Sequence, residues 1–335
     1  MDDRVAVAIA ILCANPAVRL SGQTEPQNAG ALFLLFPVGA QSVGMGQTAA
    51  AIEGRGELVF LNPAGVGGLT TSEFALHTAR LAAGATNAIT VFFPRRGIGV
   101  FGAALDLVDY GDQEVSDSNG TPIARIAPRN LALLATYATQ LTGAVSLGVS
   151  YKLIEFRVDC SGACPPLTGG QGVTHALDLG GQFAVGPDHA LRIGIALRNL
   201  GFPLQVNNRD QADALPTRLV FGAAYRVMLR PQGLATTGPG AGAVAERFDL
   251  KVAADVESRW REAGTPDVRV GVDLGYLESL RVRGGYAFVH QGLSGPSVGV
   301  GVATGSIGVD LARTFLSGSD LVVPNPTFLS FRVEF

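Results

Sequence analysis

The chain has 335 residues, of which 16% are charged and 44 are glycine, and its net charge is −3. Because soluble domains average about 25% charged residues and about 7% glycine, this composition argues against an ordinary soluble enzyme. The small net charge gives no reason to expect nucleic acid as a partner.

The N-terminus carries the longest apolar run of the chain, from Val5 to Ala14, directly after Arg4. This run is shorter than the ~20 residues that a membrane-spanning helix requires, and it is typical of the core of a signal peptide. We therefore predict a signal peptide over residues 1–22 and export of the chain. Cleavage after Ala14 and cleavage after Ala17 both remain open.

The next segment, residues 23–70, is predicted to be a plug, or hatch. From residue 30 it is rich in glycine and alanine and does not alternate between polar and apolar residues. In "LNPAG", Asn62 can cap a short helix whose first position is Pro63, where a missing N–H costs nothing. Because small residues allow close packing, we expect this segment to lie against the inside of a wall.

Residues 71–335 repeat one pattern, a segment of alternating residues followed by a turn. In "DVRVGVDLGYL", Val268, Val270 and Val272 fall on one face, and Arg269 and Asp273 fall on the other. Such alternation is typical of a strand with one apolar face. It predicts an all-β fold, a transmembrane antiparallel β-barrel of about fourteen strands with an N-terminal luminal hatch. The predicted strands lie near 72–80, 87–94, 97–108, 129–140, 144–157, 173–186, 190–199, 217–228, 247–259, 267–277, 279–290, 295–304, 306–315 and 326–335.

Connection lengths favour a membrane barrel over a soluble sandwich or propeller, which alternation alone also fits. Outer-membrane barrels have short periplasmic turns and longer external loops. The second, fourth, sixth, tenth and twelfth connections are short, and the third, fifth and seventh are long. The eighth connection, "LRPQGLATTGPGAGAVAE", is long where a short turn is expected, and nothing in the sequence explains it.

Two cysteines lie within the turn-rich segment "DCSGACPPLTGGQG", at Cys160 and Cys164. Export would permit a disulfide between them, and two free surface thiols are the alternative. A metal site would need more ligands than the nearby His175, so we expect no bound metal.

The C-terminal strand "FLSFRVEF" alternates up to its last residue. Its apolar face consists of Leu329, Phe331, Val333 and Phe335. This segment resembles the terminal strand that the barrel-assembly machinery recognises, so that machinery is an expected partner.

Catalytic motifs are weak throughout the chain. The four histidines are dispersed, and no serine lies in a nucleophile elbow. The carboxylates Asp249, Asp255, Glu257 and Asp273 are expected to face the lumen opposite Lys251, Arg269, Arg281 and Arg283, where cross-strand pairing stabilises mixed charge. We expect neither an enzyme nor a cofactor.

Two N-terminal motifs, "GAQSVGMGQTAAAI" and "FLNPAGV", resemble the signature of the PorV/PorQ group. That group is related to the FadL long-chain fatty-acid transporters, which share an Asn-Pro-Ala turn in a luminal hatch. Later segments, such as "LPTRLVFGAAYRV", extend the resemblance over most of the chain. The resemblance implies a hatch turn formed by Asn62, Pro63, Ala64 and Gly65, with Met45 and Gly46 beside it. One departure is "EGRGE" (53–57), where many relatives have an acidic pair.

The resemblance implies two functions for a protein of the bacterial outer membrane. The first is a PorV-like accessory of protein secretion, which would contact secreted proteins through external loops near 109–128, 157–173 and 200–216. The alternative is a FadL-like channel for small hydrophobic molecules such as long-chain fatty acids. The channel predicts an apolar pocket at the hatch and a lateral gap at a kinked strand. In both cases outer-membrane lipid surrounds the wall.

Overall fold

The computed structural model describes residues 30–164, 170–206, 212–229, 248–260, 264–277, 279–290, 292–317 and 325–335. The predicted signal peptide, the first residues of the predicted hatch and nearly all of the long eighth connection lie outside these ranges. In the described part, no helix is long and apolar enough to cross a membrane.

The described residues form a closed antiparallel barrel, as the alternation predicts. Fourteen of its fifteen strands make the wall, which closes where the first strand pairs with the last (Ala79 opposite Phe328) and where the third pairs with the fifth. The strands are β1 Glu73–Leu81, β2 Gly84–Arg95, β3 Gly99–Asp109, β4 Gln113–Ser116, β5 Pro122–Gln140, β6 Val145–Gly162, β7 Gly170–Val185, β8 Leu191–Gly201, β9 Arg218–Leu229, β10 Phe248–Arg259, β11 Asp267–Tyr276, β12 Leu280–Phe288, β13 Gly295–Thr304, β14 Ile307–Thr314 and β15 Thr327–Glu334.

Side chains alternate between the outside and the inside of this wall. On β14, Ile307, Val309 and Leu311 are exposed on the outer surface, whereas the intervening Asp310 and Ala312 are buried on the lumen side. An apolar outer surface is what lipid requires, because a charged side chain facing the bilayer midplane costs ~2–4 kcal/mol. We call the end where β1 begins and β15 ends the periplasmic end, as in bacterial barrels, and the opposite end the external end.

The predicted strands match the observed ones in the lipid-facing part of the wall. At the external end, the predicted strands are too short. The sequence predicts loops over 109–128 and 157–173, but the structure extends β5, β6 and β7 there and adds the short strand β4. Above the membrane neither face of a strand has to be apolar, so the alternation that marks the other strands fades. The third and fifth connections are therefore partly sheet.

The predicted lateral gap is absent from the described strands, because every neighbouring pair in the wall is hydrogen-bonded. The β7–β8 ladder shifts register between Leu177 and Leu179. Asp178 lies in this shift, where its Oδ1 accepts from Asn199 N at 2.7 Å and its Oδ2 lies 2.7 Å from Lys152 Nζ. These contacts hold the irregular site closed.

The described part of the hatch, residues 30–69, runs around the inside of the wall. It consists of the α-helix α1, Ala40–Gly44, and of 3-10 helices at Leu32–Leu35, Gly56–Phe60 and Pro63–Gly68. Helix α1 packs on β12 to β15, Gly56–Phe60 packs on β1 and β2, and Pro63–Gly68 packs on β3 and β5 to β7. The hatch therefore contacts both sides of the seam at which the barrel closes.

Glycines of the wall let the hatch backbone approach closely. A methyl group on Gly285 would overlap Gly46 N, and one on Gly194 would overlap the carbonyl oxygen of Ala50. The same holds at other lumen-facing positions, so that five strands each present one such glycine. We call this set the glycine girdle: Gly148, Gly180, Gly194, Gly271 and Gly285. These wall glycines thus make room for the hatch.

Adding a side chain to the girdle should loosen the hatch. We expect Gly285→Val to lower the stability of the folded protein by about 1–3 kcal/mol, the usual range for overpacking. Gly284→Val is the matched control, because a Cβ there faces outward and meets only Val272 Cγ2 at 3.8 Å. Thermal unfolding and limited proteolysis of the hatch measure both effects. Equal behaviour of the two variants would contradict the assigned role of the girdle.

Candidate functional site

The predicted hatch turn lies against the wall at β6 to β8. Asn62 is fully buried and caps the 3-10 helix that begins at Pro63: its Oδ1 accepts from Ala64 N at 3.0 Å. Its Nδ2 donates to Ala50 O at 2.6 Å and to Ile195 O of β8 at 3.3 Å. One side chain thus joins the helix cap, a second hatch segment and the wall.

The other half of the predicted motif contacts a different part of the wall. Gly46 N donates to Ser297 Oγ of β13 at 3.0 Å, and Met45 is buried. Gly65 lies against Ile52 and Leu58, which belong to the same hydrophobic cluster as Met45. The two halves therefore border a shared core, rather than forming one turn.

Two side chains of the wall anchor the middle of the hatch. The sequence analysis did not assign either of them to this role. Asp255 Oδ2 accepts from Ala49 N at 2.8 Å and from Ala50 N at 3.0 Å. Gln182 Nε2 donates to Ala50 O at 3.0 Å and to Ile52 O at 2.7 Å. The alternation placed Asp255 in the lumen, but the sequence gives no sign that backbone N–H groups are its partners.

The "EGRGE" segment binds the wall and the neighbouring hatch through its charges. Glu53 pairs with Arg192, and Arg55 NH1 lies 3.4 Å from Glu334 Oε1. Glu57 is buried, and its Oε1 accepts from Ser42 N at 2.8 Å. The charges of this segment therefore help to fix the hatch in the barrel.

A cavity of about 500 Å³ lies between the hatch and the external ends of the strands. Its apolar lining comes from both sides. The hatch contributes Leu32, Leu35, Phe36 and Leu61, and the wall and its connections contribute Leu81, Leu316 and Phe328. The cavity is thus large enough for a small molecule and apolar over part of its wall.

A compact charge cluster lines another part of the cavity. Glu257 Oε2 accepts from Arg198 NH2 and from Arg269 NH1, each at 2.7 Å, and Glu257 Oε1 lies 3.4 Å from Arg218 Nε. Arg198 NH1 also donates to Phe60 O of the hatch at 3.3 Å. These arginines and this carboxylate pair with one another, so this part of the lining is polar and charged.

The remaining predicted site residues lie away from the cavity. Leu329, Phe331 and Phe335 are exposed on the outer surface of β15 and at its end, and Val333 is half-buried there. The Phe335 ring meets that of Phe93 with centroids 6.2 Å apart. Cys160 and Cys164 are joined by a disulfide at the external end of β6. Within the described ranges, no group of three possible metal ligands occurs.

Comparison with known proteins gives the fold and leaves the sequence family open. No protein-family model and no curated protein matches the chain. Three solved structures are similar over nearly their whole length. The toluene transporter TbuX of Ralstonia pickettii is 15% identical, with 89% of this chain and 98% of that chain covered and a TM-score of 0.56. The toluene transporter TodX of Pseudomonas putida is 12% identical, with coverages of 89% and 98% and a TM-score of 0.58. The monoaromatic hydrocarbon channel CymD is 15% identical, with coverages of 92% and 99% and a TM-score of 0.57.

The chain therefore shares the barrel fold of these toluene transporters and of this hydrocarbon channel. The finer resemblance to the PorV/PorQ group stays a prediction from sequence motifs.

One hatch carboxylate should make hatch attachment depend on pH. Burial, reinforced by the negative charge of Asp310, raises the pKa of Glu57 from 4.5 to about 7, against the opposing effect of the hydrogen bond from Ser42 N. Because the folded pKa exceeds the unfolded one, the folded state binds the proton more tightly. The stabilisation is complete below about 4.5 and is lost as pH rises through about 7.

Glu57→Gln keeps a hydrogen-bond acceptor for Ser42 N and removes the titration. We expect the difference in thermal midpoint between the parent chain and this variant to change between pH 4.5 and pH 7 and to be constant above that window. Midpoints measured across the range provide the test. A difference that does not change with pH would show that Glu57 does not titrate there.

Proposed function

We propose that this chain is an outer-membrane channel for the uptake of small hydrophobic molecules and that the cavity above the hatch is its binding site. The observation that carries the proposal is the position of this cavity. It lies on the external side of the hatch, inside a closed barrel, with apolar residues on both sides. An apolar molecule entering from outside would reach it before meeting the hatch.

The structural neighbours support this reading. TbuX, TodX and CymD are named for the transport of toluene or monoaromatic hydrocarbons, and each is covered almost completely by the match. A shared fold does not fix the cargo, so the argument for this chain rests on its own cavity. The charge cluster around Glu257 gives the cavity a polar side, which suits cargo with a polar end, such as the long-chain fatty acids implied by the FadL resemblance.

The secretion-accessory role remains a prediction from the PorV/PorQ motifs, as do secreted proteins and the barrel-assembly machinery as partners. The neighbours favour the channel over that role. We also infer that the chain is not an enzyme, since the neighbours are transporters and channels.

A charge placed in the apolar lining should abolish uptake. We expect Phe36→Asp to reduce the uptake of toluene by cells that express the protein by about tenfold or more, because an unpaired polar group in an apolar site costs ~1–3 kcal/mol. Phe202→Asp is the control: Phe202 is 73% exposed and does not line the cavity.

Both variants should be compared at equal surface levels, alongside the parent chain and cells without it. Uptake of toluene and of a long-chain fatty acid that is the same in all four would reject the channel. If export of other proteins fell instead, the accessory role would be favoured.

Passage should require displacement of the hatch. A Cβ on Gly67 would lie 3.7 Å from Ala138 Cβ of β5, within the ~3.5–4.5 Å that a disulfide spans. We expect Gly67→Cys/Ala138→Cys, once oxidised, to bind ligand in the cavity and to lose uptake, with recovery on reduction.

Reductant would also break the native disulfide Cys160–Cys164. Uptake by the parent chain with and without reductant measures that separate effect. Full uptake through a completely cross-linked barrel would mean that ligands pass without moving this part of the hatch.

A further inference from the structure

Gln47 has an unfavourable backbone conformation. Its φ is +65°, in the left-handed region that side chains other than glycine and asparagine seldom adopt. Gly46 before it has φ +68°, and there a methyl group would overlap Val270 O and Tyr286 N, so glycine is required. At position 47, the backbone conformation also favours glycine, yet the chain carries a long polar side chain.

Among the residues that the structure describes, the side chain of Gln47 has no hydrogen-bond partner. Its backbone N donates to Ser42 O at 2.7 Å, which completes the turn after α1. In contrast to Gln182 and Asn62, whose amides hold the hatch, no described group hydrogen-bonds the carboxamide of Gln47. The residue is half-buried and lines the cavity beside Leu61 and Phe36.

The backbone of Gln47 takes part in the turn after α1, but its side chain makes no contact that would offset the unfavourable conformation, and this combination points to function. Gln47 offers both a donor and an acceptor, and among the described hatch residues that line the cavity it is the only polar one. The wall adds further polar groups to the lining, including His290, Thr314 and the mutually paired charges around Glu257. A hydrocarbon would leave this amide without a partner, whereas a ligand with a hydroxyl or carbonyl group would satisfy it.

We propose that Gln47 is a specificity-determining residue, whose carboxamide selects hydrophobic ligands that carry a hydrogen-bonding oxygen over plain hydrocarbons. This inference rests on the proposed function, because it assumes that the cavity binds ligand. It goes further by giving the ligand a polar end and by assigning the contact to one hatch residue.

The test uses two probes with the same ring, toluene and benzyl alcohol. Their affinities for the full-length protein in lipid nanodiscs are measured by calorimetry, with empty nanodiscs subtracted. Gln47→Met keeps the size and the left-handed backbone but removes the hydrogen bond. Gln47→Gly removes the hydrogen bond and relieves the backbone. Ala31→Gly is the control, because Ala31 is another left-handed hatch residue, with φ +51°, and does not line the cavity.

We expect the preference for benzyl alcohol over toluene to fall about 3- to 10-fold in Gln47→Met and Gln47→Gly, the factor that one hydrogen bond contributes. It should be unchanged in Ala31→Gly, and both glycine variants should raise the thermal midpoint. If the parent chain and the Gln47 variants bound both probes with the same preference, this inference would fail and the proposed function would stand. If the parent chain bound neither probe, the proposed function would fail and this inference with it.

Discussion

The structure depends on one constraint: in lipid, every backbone N–H and C=O group of the wall needs a partner within the wall. An open sheet edge would leave a row of such groups unpaired, each at a cost of several kcal/mol, so the ladder has to close. The pairing of β1 with β15 provides that closure. Once the wall is a closed cylinder, alternation sends one set of side chains to lipid and the other into a confined lumen. The lumen must then be filled by water, by side chains or by a separate segment of the chain.

This lumen is filled by paired charges and by the hatch. Near the periplasmic end, Arg281 NH1 lies 3.0 Å from Asp249 Oδ2, and Arg283 NH1 lies 2.6 Å from Asp310 Oδ1, so the network crosses several strands. Removing one partner of such a buried pair typically costs 3–5 kcal/mol, which ties the luminal face of one strand to that of the next. The hatch is held differently. Wall side chains such as Asp255 bind its backbone, and the glycine girdle gives that backbone room.

The strands of the wall could be predicted from the sequence because the alternation of apolar and polar residues is a local pattern. Lipid on one side and a polar lumen on the other produce period two, and the predicted strands match the observed ones apart from the external extensions. Those extensions were missed because lipid no longer imposes an apolar face above the membrane. The cap at Asn62 was also readable, since Asn followed by Pro is a local signal. The contacts of Asp255 and Gln182, and the role proposed for Gln47, were not readable, because each depends on how distant segments meet inside the barrel.

The arrangement of the lumen also bears on the cargo. A ligand that leaves the cavity toward the periplasm must pass the hatch and then the charged half of the lumen, where Asp249, Arg281 and Asp273 lie. A pure hydrocarbon would take the place of water around these groups and give no hydrogen bond in return, although paired charges can still accept or donate further hydrogen bonds. A molecule with one polar end can exchange hydrogen bonds along the way, first with Gln47 and then with the luminal charges. Although the neighbours are named for toluene and related hydrocarbons, the polar groups along this lumen argue for cargo that is hydrophobic over most of its length and polar at one end.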